Sequence, residues 1–497
     1  MFPLEQLEKL KVPITRLVTD SRAVQRGDTF VACPGDKTDG RHFISDAIER
    51  GANAVIWESG HFVWNDAWKI PNLGVSDLRH RTGWLADAIN GSPSEKLWMV
   101  GITGTNGKTS TCHWVAQALS DNSRKCAMIG TLGNGFAGKL EAGTNTTPDA
   151  ASVHGLLADY LRNGALAVAM EVSSHALAQG RVNGVNFDVA LHTNLSRDHL
   201  DYHGDMESYA ASKRKLFEWD RLKYAVLNLD DEFGAKLAEQ LGDKSVEVIG
   251  YGMSDDSLRV AGQLGIRMVY GRLAEMSGHG LQLDAHTSWG GAQLKSTLIG
   301  RFNAANLLGT LAVLLVSGVG LSDAVQSLGK AQAVAGRMQR LGTARQPTVV
   351  VDYAHTPDAL EKVLLALREA SAAEGSKLIC VFGCGGDRDR GKRTMMGRIA
   401  ERFSDWCIVT SDNPRNENPQ EIIAEIVGGM SSDNHEIIVE RAVAIQHAIS
   451  LAQQIDMVLI AGKGHEEYQE VKGIKHPFSD ARVAEQALKD SHTWVRT

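Results

Sequence analysis

The sequence predicts an α/β protein built from three domains, and three observations carry this prediction. The chain has 497 residues, about three times the usual length of one domain. Two separate series of short apolar runs alternate with helix-like segments, a pattern typical of mainly parallel sheets covered by helices. A glycine-rich loop joins one of these runs to a helix pattern. We place the domains at residues 1–90, 91–334 and 335–497.

The first domain is predicted to be a small α/β unit. After a turn-rich stretch that begins at Asp20, a helix pattern at residues 47–50 stops at Gly51, and a strand follows to Ile56. Residues 90–94 then break the periodicity with asparagine, glycine, serine and proline. We place the first domain boundary at that break.

The central domain is predicted to contain a mainly parallel sheet. Its apolar runs are separated by helix patterns and lie at residues 97–103, 126–129, 166–172, 187–191 and 224–229. Between about residues 248 and 298 the runs are broken by Gly-Gly and Ser-Gly steps, which predicts short antiparallel strands. A buried helix is expected at residues 307–316.

The third domain repeats the alternation and is predicted to be doubly wound and Rossmann-like. Its apolar runs lie at residues 348–351, 378–382, 406–410, 437–439 and 457–461. A helix is expected at residues 358–370, and the linker at Ala335 and Gly336 is the predicted hinge.

Composition narrows the classes of protein to which the chain can belong. A net charge of -7 repels nucleic acid, which is excluded as a partner. The six cysteines are scattered, fall mostly in apolar stretches and fit the core of a protein in a reducing compartment; a zinc site at Cys380 and Cys384 lacks a second ligand pair. No export signal is seen, and the longest apolar run is shorter than the roughly 20 residues that span a bilayer. We expect a cytoplasmic monomer without a membrane segment.

The glycine-rich loop has the context of a phosphate-binding loop (P-loop), since it follows an apolar run and opens a helix pattern. Its sequence is Gly104-Thr105-Asn106-Gly107-Lys108-Thr109-Ser110. Glycines let main-chain amides reach phosphate oxygens, Lys108 supplies a positive charge, and the Thr109 hydroxyl can ligate magnesium. Gly101 lies six residues before Gly107, where the standard motif has five, so an ordinary glycine-rich turn is the alternative. The loop favours ATP or GTP as a ligand.

The loop and several further segments resemble the Mur ligases and folylpolyglutamate synthases, which form amides at the expense of ATP. The segments follow the family's order along most of the chain: Asn145-Thr146-Thr147-Pro148, Glu171-Val172-Ser173-Ser174-His175, Asn194-Leu195-Ser196-Arg197-Asp198-His199-Leu200-Asp201, Asp352-Tyr353-Ala354-His355-Thr356-Pro357 and Gly383-Cys384-Gly385-Gly386-Asp387-Arg388-Asp389. The tetrapeptide Asp412-Asn413-Pro414-Arg415 resembles the members that add meso-diaminopimelate, whereas lysine-adding members differ at Arg415.

The resemblance implies the reaction and its small-molecule partners. It implies an ATP-dependent ligase that adds meso-diaminopimelate to UDP-N-acetylmuramoyl-L-alanyl-D-glutamate through an acyl phosphate, in peptidoglycan precursor synthesis. ATP and Mg²⁺ are the implied cofactors. Such chemistry depends on positioning and charge neutralisation, so a hydrolase role for Ser174 and His175 is the minor alternative.

The resemblance also implies catalytic and metal-binding residues. The catalytic residues would be Lys108, Glu171, His199 and Lys213. Magnesium would be held by Thr109, Glu171, His199 and Lys213, with Lys213 modified to N6-carboxylysine. Composition alone favours a solvated helix face for Lys213, and a purely structural histidine is the alternative for His199.

Nucleotide and substrate contacts are implied at three groups of positions. Beyond Gly104 to Ser110, the nucleotide group contains Asn303, Arg337 and His355, although Asn303 could instead cap a helix. The muramoyl-peptide group contains Ser21, Asp36, Lys37, Thr38, Asn145, Thr146, Thr147, Ser173, Gln179 and Arg181; the first four could equally form surface turns. The amino-acid group contains Arg388, Asp412, Asn413, Pro414, Arg415, Gly462 and Glu466.

Three rival functions stay open from the sequence. These are a lysine-adding ligase or folylpolyglutamate synthase, a kinase, and a nucleotide-binding regulator without catalysis. The tetrapeptide that ends at Arg415 opposes the synthase. The presence of Glu171, His199 and Lys213 opposes the regulator, because nucleotide binding alone does not require them.

Overall fold

Three sheets of mainly parallel strands, one after another along the chain, form the framework of the computed structural model. The structure describes residues 4–36, 38–143, 145–242, 244–277, 280–343, 345–371 and 375–490. The predicted α/β class with N-terminal, central and C-terminal domains is confirmed.

The N-terminal domain contains a four-stranded parallel sheet in the order β1-β2-β3-β4. Its strands and helices are β1 (Leu17–Val18), β2 (Thr29–Ala32), α1 (Ile44–Glu49), β3 (Ala54–Glu58), β4 (Asn72–Val75) and α2 (Leu78–Ile89). Short 3-10 helices lie at Leu4–Leu10, Ser21–Ala23, Gly40–Phe43 and Pro93–Lys96. The predicted order of helix, glycine stop and strand is confirmed by α1, Gly51 and β3.

The central domain contains an eleven-stranded sheet in the order β15-β14-β13-β12-β11-β10-β5-β9-β6-β7-β8. Its strands are β5 (Trp98–Thr103), β6 (Cys126–Gly130), β7 (Gly133–Phe136), β8 (Lys139–Glu141), β9 (Ala167–Glu171), β10 (Val189–His192), β11 (Tyr224–Asn228), β12 (Glu247–Gly252), β13 (Arg267–Ser277), β14 (Gly280–Thr287) and β15 (Gly290–Ser296). The seven strands from β13 to β6 are parallel, and a pair of antiparallel strands extends each edge.

Helices cover both faces of this sheet and separate two hydrophobic clusters. They are α3 (Lys108–Asp121), α4 (Ala150–Arg162), α5 (Ser174–Ala178), α6 (Leu200–His203), α7 (Met206–Arg214), α8 (Glu232–Leu241), α9 (Asp255–Leu264), α10 (Arg301–Val316) and α11 (Leu321–Gly329), with a 3-10 helix at Lys215–Glu218. Almost every residue of α10 after Phe302 is buried, as predicted for residues 307–316.

The prediction for residues 248–298 was partly wrong. β12 continues the parallel sheet, α9 follows it, and the antiparallel strands are long, with 11 residues in β13 and 8 in β14. The start of α9 is fixed by Ser254, whose side chain accepts a hydrogen bond from Ser257 N. Val260, Ala261 and Leu264 of α9 pack against the core at helical spacing, a signal that the sequence analysis missed.

The C-terminal domain contains a six-stranded sheet in the order β16-β17-β21-β18-β19-β20, in which only the edge strand β16 is antiparallel. Its strands are β16 (Gln339–Leu341), β17 (Thr348–Asp352), β18 (Leu378–Phe382), β19 (Trp406–Val409), β20 (His435–Ile437) and β21 (Met457–Ala461), followed by a hairpin of β22 (Tyr468–Val471) and β23 (Ile474–Pro477). Its helices are α12 (Pro357–Ala370), α13 (Gly391–Phe403), α14 (Pro419–Val427), α15 (Arg441–Leu451) and α16 (Asp480–Asp490).

A fully buried ion pair joins helices α15 and α16 of this domain. Arg441 Nε lies 2.7 Å from Asp480 Oδ1, and both side chains are inaccessible to solvent. The same guanidinium donates to Ala461 O at 2.9 Å and to Ser411 O at 3.4 Å. It therefore supports the loops that leave β19 and β21.

Cysteine burial follows the prediction from the sequence. Cys112, Cys126, Cys380, Cys384 and Cys407 are buried, and Cys33 is half-buried. Within the described ranges, no helix combines the length and apolar character needed to cross a bilayer.

Candidate active site

The glycine-rich loop lies between the carboxyl end of β5 and the amino end of α3. Gly104 and Gly107 have positive φ angles of 148° and 86°. A side chain at Gly104 would collide with the Thr193 hydroxyl, and one at Gly107 would lie 2.6 Å from Asn306 Oδ1. Only glycine fits both positions, so the main-chain amides stay accessible to an anion at the helix terminus.

The segment that follows β10 holds the loop in place. Thr105 N donates to Asn194 O at 2.7 Å, and Asn106 N donates to Asn194 Oδ1 at 3.1 Å. Thr193 Oγ1 donates to Asn106 O at 2.6 Å. These contacts fix main-chain groups of the loop, so its shape is set without a ligand.

The ammonium group of Lys108 folds back onto the loop. Its Nζ donates to Gly104 O and to Thr105 O, both at 2.8 Å. Desolvation lowers the pKa of Lys108, while the Glu171 carboxylate acts in the opposite direction. A polyphosphate bound here would favour the charged amine.

A cavity of about 580 Å³ lies beside the loop, between the central and C-terminal domains. This is the size of a small-molecule site. The predicted nucleotide-binding residues that line it are Asn106, Gly107, Ser110, Asn303 and Arg337. The cavity can therefore hold a nucleotide whose phosphates reach the loop.

Asn303 and Arg337 enter the cavity wall from different elements. Asn303 lies inside α10, whose N-cap is Gly300, so the alternative role of Asn303 as a helix cap is wrong. Arg337 comes from the interdomain linker and donates to Thr109 Oγ1 at 3.4 Å. Its guanidinium lies 4.5 Å from the centroid of the Tyr353 ring. The linker thus contacts the loop directly.

His355 lies apart from the lining of this cavity. Its Nδ1 lies 2.8 Å from Tyr353 O, and its Nε2 lies 4.0 Å from Asp198 Oδ2 of the central domain. Burial lowers the pKa of His355 to about 4, and the Lys392 ammonium acts in the same direction. His355 therefore faces the central domain as a neutral imidazole.

Glu171, at the end of β9, is hydrogen-bonded through both carboxylate oxygens. Thr109 Oγ1 donates to Oε2 at 3.0 Å, and Thr131 N donates to Oε1 at 2.7 Å. Thr131 Oγ1 lies 3.2 Å from Oε2. The structure brings the predicted pair Thr109 and Glu171 together, and adds Thr131, which the sequence analysis missed. A carboxylate beside a hydroxyl is a donor set that suits a hard cation.

Lys213, on α7, is buried with 1% of its surface exposed. Its Nζ donates to Gly104 O at 2.9 Å and lies 4.5 Å from the centroid of the Tyr209 ring. Desolvation lowers the pKa of Lys213 well below its ordinary value, and the Lys108 ammonium adds to this effect. The alternative of a solvated helix face is wrong.

His199 precedes α6 in a left-handed conformation, with a φ angle of 54°. Its ring packs edge-on against His175 at 4.9 Å, and its Nε2 lies 3.3 Å from Asp198 Oδ2. Desolvation lowers the pKa of His199, against the influence of the Asp198 carboxylate. Among the described residues, no three histidine, cysteine or acidic side chains form a group that could hold a metal ion. His199 therefore lies in an aromatic cluster with His175 and Tyr209.

The hydroxyl of Ser174 lies 3.0 Å from Nε2 of His203 rather than bonding its neighbour His175. Ser173 instead caps α5, because its Oγ accepts from Ala176 N at 3.2 Å. The two serines are thus engaged in local structure.

Asp36 of the N-terminal domain contacts the central domain. Its Oδ1 lies 2.6 Å from Arg79 Nη1, and Gln179 Nε2 donates to its Oδ2 at 2.7 Å. Arg181 Nε donates to Gln179 Oε1 at 2.7 Å. Sequence reasoning named Asp36, Gln179 and Arg181 but not Arg79, the partner that lowers the pKa of Asp36.

This hydrogen-bond network continues from Arg181 to Glu171 at the end of β9. Arg181 Nη1 donates to Thr147 O at 2.9 Å, and Thr147 Oγ1 donates to Glu171 O at 2.8 Å. Thr147 Oγ1 also accepts from Ser173 N at 3.1 Å. A continuous path of hydrogen bonds thus joins Asp36 to Glu171.

The remaining predicted muramoyl-peptide residues differ in their positions. Thr146 Oγ1 accepts from Thr131 Oγ1 at 3.1 Å, so it lies beside Glu171. Asn145 and Thr38 are exposed, whereas Ser21 is buried at the start of a 3-10 helix. Lys37 lies outside the described residues.

The predicted amino-acid residues meet at the carboxyl ends of β18, β19 and β21, where ligands bind in doubly wound sheets. Asn413 Nδ2 donates to Glu466 Oε2 at 2.8 Å. Gly462 has a φ angle of 117°, and a side chain there would lie 2.6 Å from Asp412 Oδ2. Gly386 likewise has no room for a side chain, because Pro414 O lies against it. Arg388 is exposed at the rim of this group.

Lys463 is a fully buried member of the group that the sequence analysis missed. Its Nζ donates to Asn413 Oδ1 at 2.9 Å and to Glu466 Oε2 at 2.8 Å. Its place between Gly462 and Gly464, directly after an apolar strand, was the available signal. The ammonium fixes the amide and one carboxylate oxygen together.

Arg415 forms the opposite side of the group. Its Nη1 donates to Gly386 O at 2.8 Å, and its Nε lies 3.3 Å from Glu470 Oε2. Glu470, on the hairpin strand β22, was also absent from the predicted set. The group thus offers carboxylate and guanidinium ends, which a zwitterion with a second charged group requires.

The central and C-terminal domains touch at several polar contacts. Asn106 Nδ2 donates to Asp358 Oδ2 at 3.1 Å, and Arg197 Nη2 lies 3.4 Å from Asp389 Oδ2. The phosphate loop and the C-terminal domain therefore border one interdomain cavity, which Arg337 and Tyr353 also line. The walls of the nucleotide cavity thus come from both domains.

Three family domains match consecutive parts of the chain. The Mur ligase family catalytic domain matches residues 13–90, the Mur ligase middle domain matches 102–314, and the Mur ligase glutamate ligase domain matches 336–464.

Relatives and a solved structure cover almost the whole chain. The UDP-N-acetylmuramoyl-L-alanyl-D-glutamate--2,6-diaminopimelate ligase of Chromobacterium violaceum is 52% identical over 97% of this chain and 96% of its own length. The ligase of the same name from Nitrosomonas europaea is 49% identical over 97% of this chain and 95% of its own length. A solved structure of a ligase of this name has a TM-score of 0.67 and 35% identity, and covers 97% of this chain and 96% of its own.

Proposed function

Because the chain belongs to the Mur ligase family, whose members form amide bonds with ATP, we propose that it joins 2,6-diaminopimelate to UDP-N-acetylmuramoyl-L-alanyl-D-glutamate. The reaction is a step of peptidoglycan precursor synthesis. The observation that carries this proposal is the cavity of about 580 Å³ between the central and C-terminal domains, which the loop residues Asn106, Gly107 and Ser110 line together with Arg337. The group of Arg415, Lys463 and Glu466 belongs to the same C-terminal domain.

A carboxylate must be activated before an amine can attack it. The γ-phosphoryl group of ATP passes to the glutamate carboxylate, which forms an acyl phosphate and releases ADP. The amine of diaminopimelate then attacks the acyl carbon, phosphate leaves, and the amine loses a proton. Loop amides and Lys108 stabilise charge on the transferred group, and the closed cleft excludes water.

Thr109 and Glu171 fit a magnesium ion by the chemistry of their donor atoms, because a hydroxyl and a carboxylate lie 3.0 Å apart. Magnesium, when bound, neutralises phosphate charge during transfer. His199 is a further proposed magnesium ligand, and a carboxylated Lys213 would ligate a second magnesium ion. Thr131 holds the Glu171 carboxylate toward Thr109.

We assign the substrates to the three proposed domains as follows. Residues 1–90 recognise the UDP part of the substrate. Asp36 links this domain to Gln179 and, through Gln179, to Arg181. Residues 91–334 bind ATP, and residues 335–497 bind the amino acid. The protein acts as a monomer in the cytoplasm.

The proposed function is tested by amino-acid-dependent phosphate release. Purified protein with ATP, magnesium and the UDP-muramoyl-dipeptide should release phosphate on addition of meso-diaminopimelate. Lysine should support far less release, and omission of magnesium should abolish it. Release without any amino acid would indicate a kinase or an ATPase, and nucleotide binding without release would indicate a regulator.

Replacing Lys213 by alanine is expected to lower kcat by about 10²-fold or more, as for loss of one preorganised charged group. Burial lowers the pKa of Lys213 and so favours the unprotonated amine, which can add to carbon dioxide and lose a proton to become an anionic carbamate. Phosphate release should fall in carbon-dioxide-free buffer and recover with bicarbonate.

The matched control for this prediction is Lys215→Ala, which removes an exposed lysine two residues away. It should keep wild-type activity. Full activity of Lys213→Ala, together with no bicarbonate effect on the wild type, would rule out the carbamate.

A further inference from the structure

The segment after Glu467 docks along the tetrapeptide that carries Arg415. Gln469 Nε2 donates to Asp412 O at 2.6 Å, and Glu470 N donates to Asn413 Oδ1 at 2.9 Å. Arg415 N donates to Glu470 O at 3.1 Å, and Lys472 N donates to Arg415 O at 2.7 Å. The hairpin of β22 and β23 is therefore attached to the amino-acid group through successive contacts.

These contacts hold Arg415 in an uncommon conformation. Its φ angle is 50°, in the left-handed region that disfavours residues with a side chain. Both of its main-chain hydrogen-bonding groups are satisfied by the hairpin. The hairpin therefore supports the backbone conformation from which the Arg415 side chain projects.

The Glu470 carboxylate also sets the direction of the guanidinium. Arg415 Nε lies 3.3 Å from Glu470 Oε2, and Nη1 donates to Gly386 O at 2.8 Å. Arg415 Nη2 has no hydrogen-bond partner in the described ranges, and Nη1 has a second hydrogen. Because Nη1 donates one hydrogen to Gly386 O and Nε lies in an ion pair with Glu470, the end of the fork stays available to another carboxylate.

We propose that Glu470 is a positioning residue that determines selectivity for an amino acid with a distal carboxylate. It orients Arg415 so that the Nη1 and Nη2 end meets this carboxylate. The inference rests on the proposed function, and deepens it by assigning selectivity to a pair of residues. Lysine lacks a distal carboxylate and gains nothing from an oriented fork.

The test compares Glu470→Ala with Glu470→Gln by the ratio of kcat/KM for meso-diaminopimelate to that for lysine. Glu470→Ala should lower this ratio by about 10-fold, through a higher KM for diaminopimelate, because the guanidinium loses the ion pair that orients it. Glu470→Gln keeps an acceptor for Nε and should retain most of the selectivity. The KM for ATP should not change in either variant.

The matched control is Glu467→Ala, which breaks an exposed ion pair with Arg482 near the same hairpin. It should keep the wild-type ratio. Thermal melting checks that the variants fold. If Glu470→Ala does not fold, Glu470→Asp replaces it in the test. Its shorter side chain cannot reach Nε as well, so this variant should also lower the ratio.

Three outcomes overturn the inference. An unchanged ratio in Glu470→Ala would mean that Glu470 has no effect on selectivity. A lower KM for diaminopimelate in this variant would mean that Glu470 competes with the substrate. Equal loss in the alanine and glutamine variants would mean that its charge, not its position, matters. Absence of diaminopimelate-dependent phosphate release in the wild type would instead refute the proposed function.

Discussion

Replacing Lys108 by methionine is expected to lower kcat/KM for ATP by about 10³-fold, the loss typical of removing one preorganised group that stabilises transition-state charge. The Lys108 ammonium already lies over the loop, 2.8 Å from two of its carbonyl oxygens, so it needs little rearrangement to meet a phosphate. Methionine keeps the length and apolar stem of the side chain. The measurement is steady-state phosphate release with ATP varied and both other substrates saturating.

Lys236→Met is the control for this prediction. Lys236 is an exposed residue of α8 that pairs with Glu232, away from the cleft. This variant should match the wild type. If Lys108→Met keeps more than about a tenth of wild-type kcat/KM, the loop does not act by charge stabilisation of the size assumed.

Replacing Arg415 by alanine is expected to lower the preference for meso-diaminopimelate over lysine by at least about 10²-fold, because sites that pair a polar group discriminate strongly against analogues that lack it. The guanidinium is the cation that the structure places between Gly386 O and Glu470. Loss of the guanidinium also leaves the Glu470 carboxylate unpaired, and this carboxylate repels the carboxylate of the substrate. The measurement is competition between the two amino acids, with product composition as the readout.

Arg402→Ala, an exposed arginine on α13 of the same domain, serves as the control and should leave the preference unchanged. The KM for ATP should stay at the wild-type value in both variants. Unaltered product composition with Arg415→Ala would refute the role of Arg415 in selectivity.

The alternation of apolar runs and helix patterns was sufficient to predict most of the parallel sheets. β5, β18 and β21 are short, buried and rich in branched residues, and β9 is buried along its whole length, so each gave a clear signal. The hairpin of β7 and β8 gave none, because its strands are short and contain two glycines with positive φ. Its pairing depends on the edge of a sheet that the local sequence does not describe.

The residues of the candidate site also divide into those that the sequence predicts and those that it does not. The loop from Gly104 to Ser110 is contiguous in sequence, and its motif was sufficient to place it. Thr131 contacts Glu171 only because β6 and β9 pair with Ile129 opposite Met170, which no local pattern specifies.

Glu470 and Arg79 show the same limit. Glu470 reaches Arg415 through a parallel bridge between Arg415 and Val471, and Arg79 reaches Asp36 from a different element of the N-terminal domain. Such partners depend on tertiary register rather than on spacing along the chain.

The inaccessible ion pair between Arg441 and Asp480 makes the C-terminal domain depend on α16, the last helix of the described chain. A truncation before Asp480 would leave the Arg441 guanidinium buried without a counter-ion. This would lower the free energy of unfolding by about 3–5 kcal/mol. That guanidinium braces the carbonyls of Ser411 and Ala461, one residue before Asp412 and Gly462. Trimming α16 should therefore impair amino-acid capture and thermal resistance together, although the helix lies outside every motif.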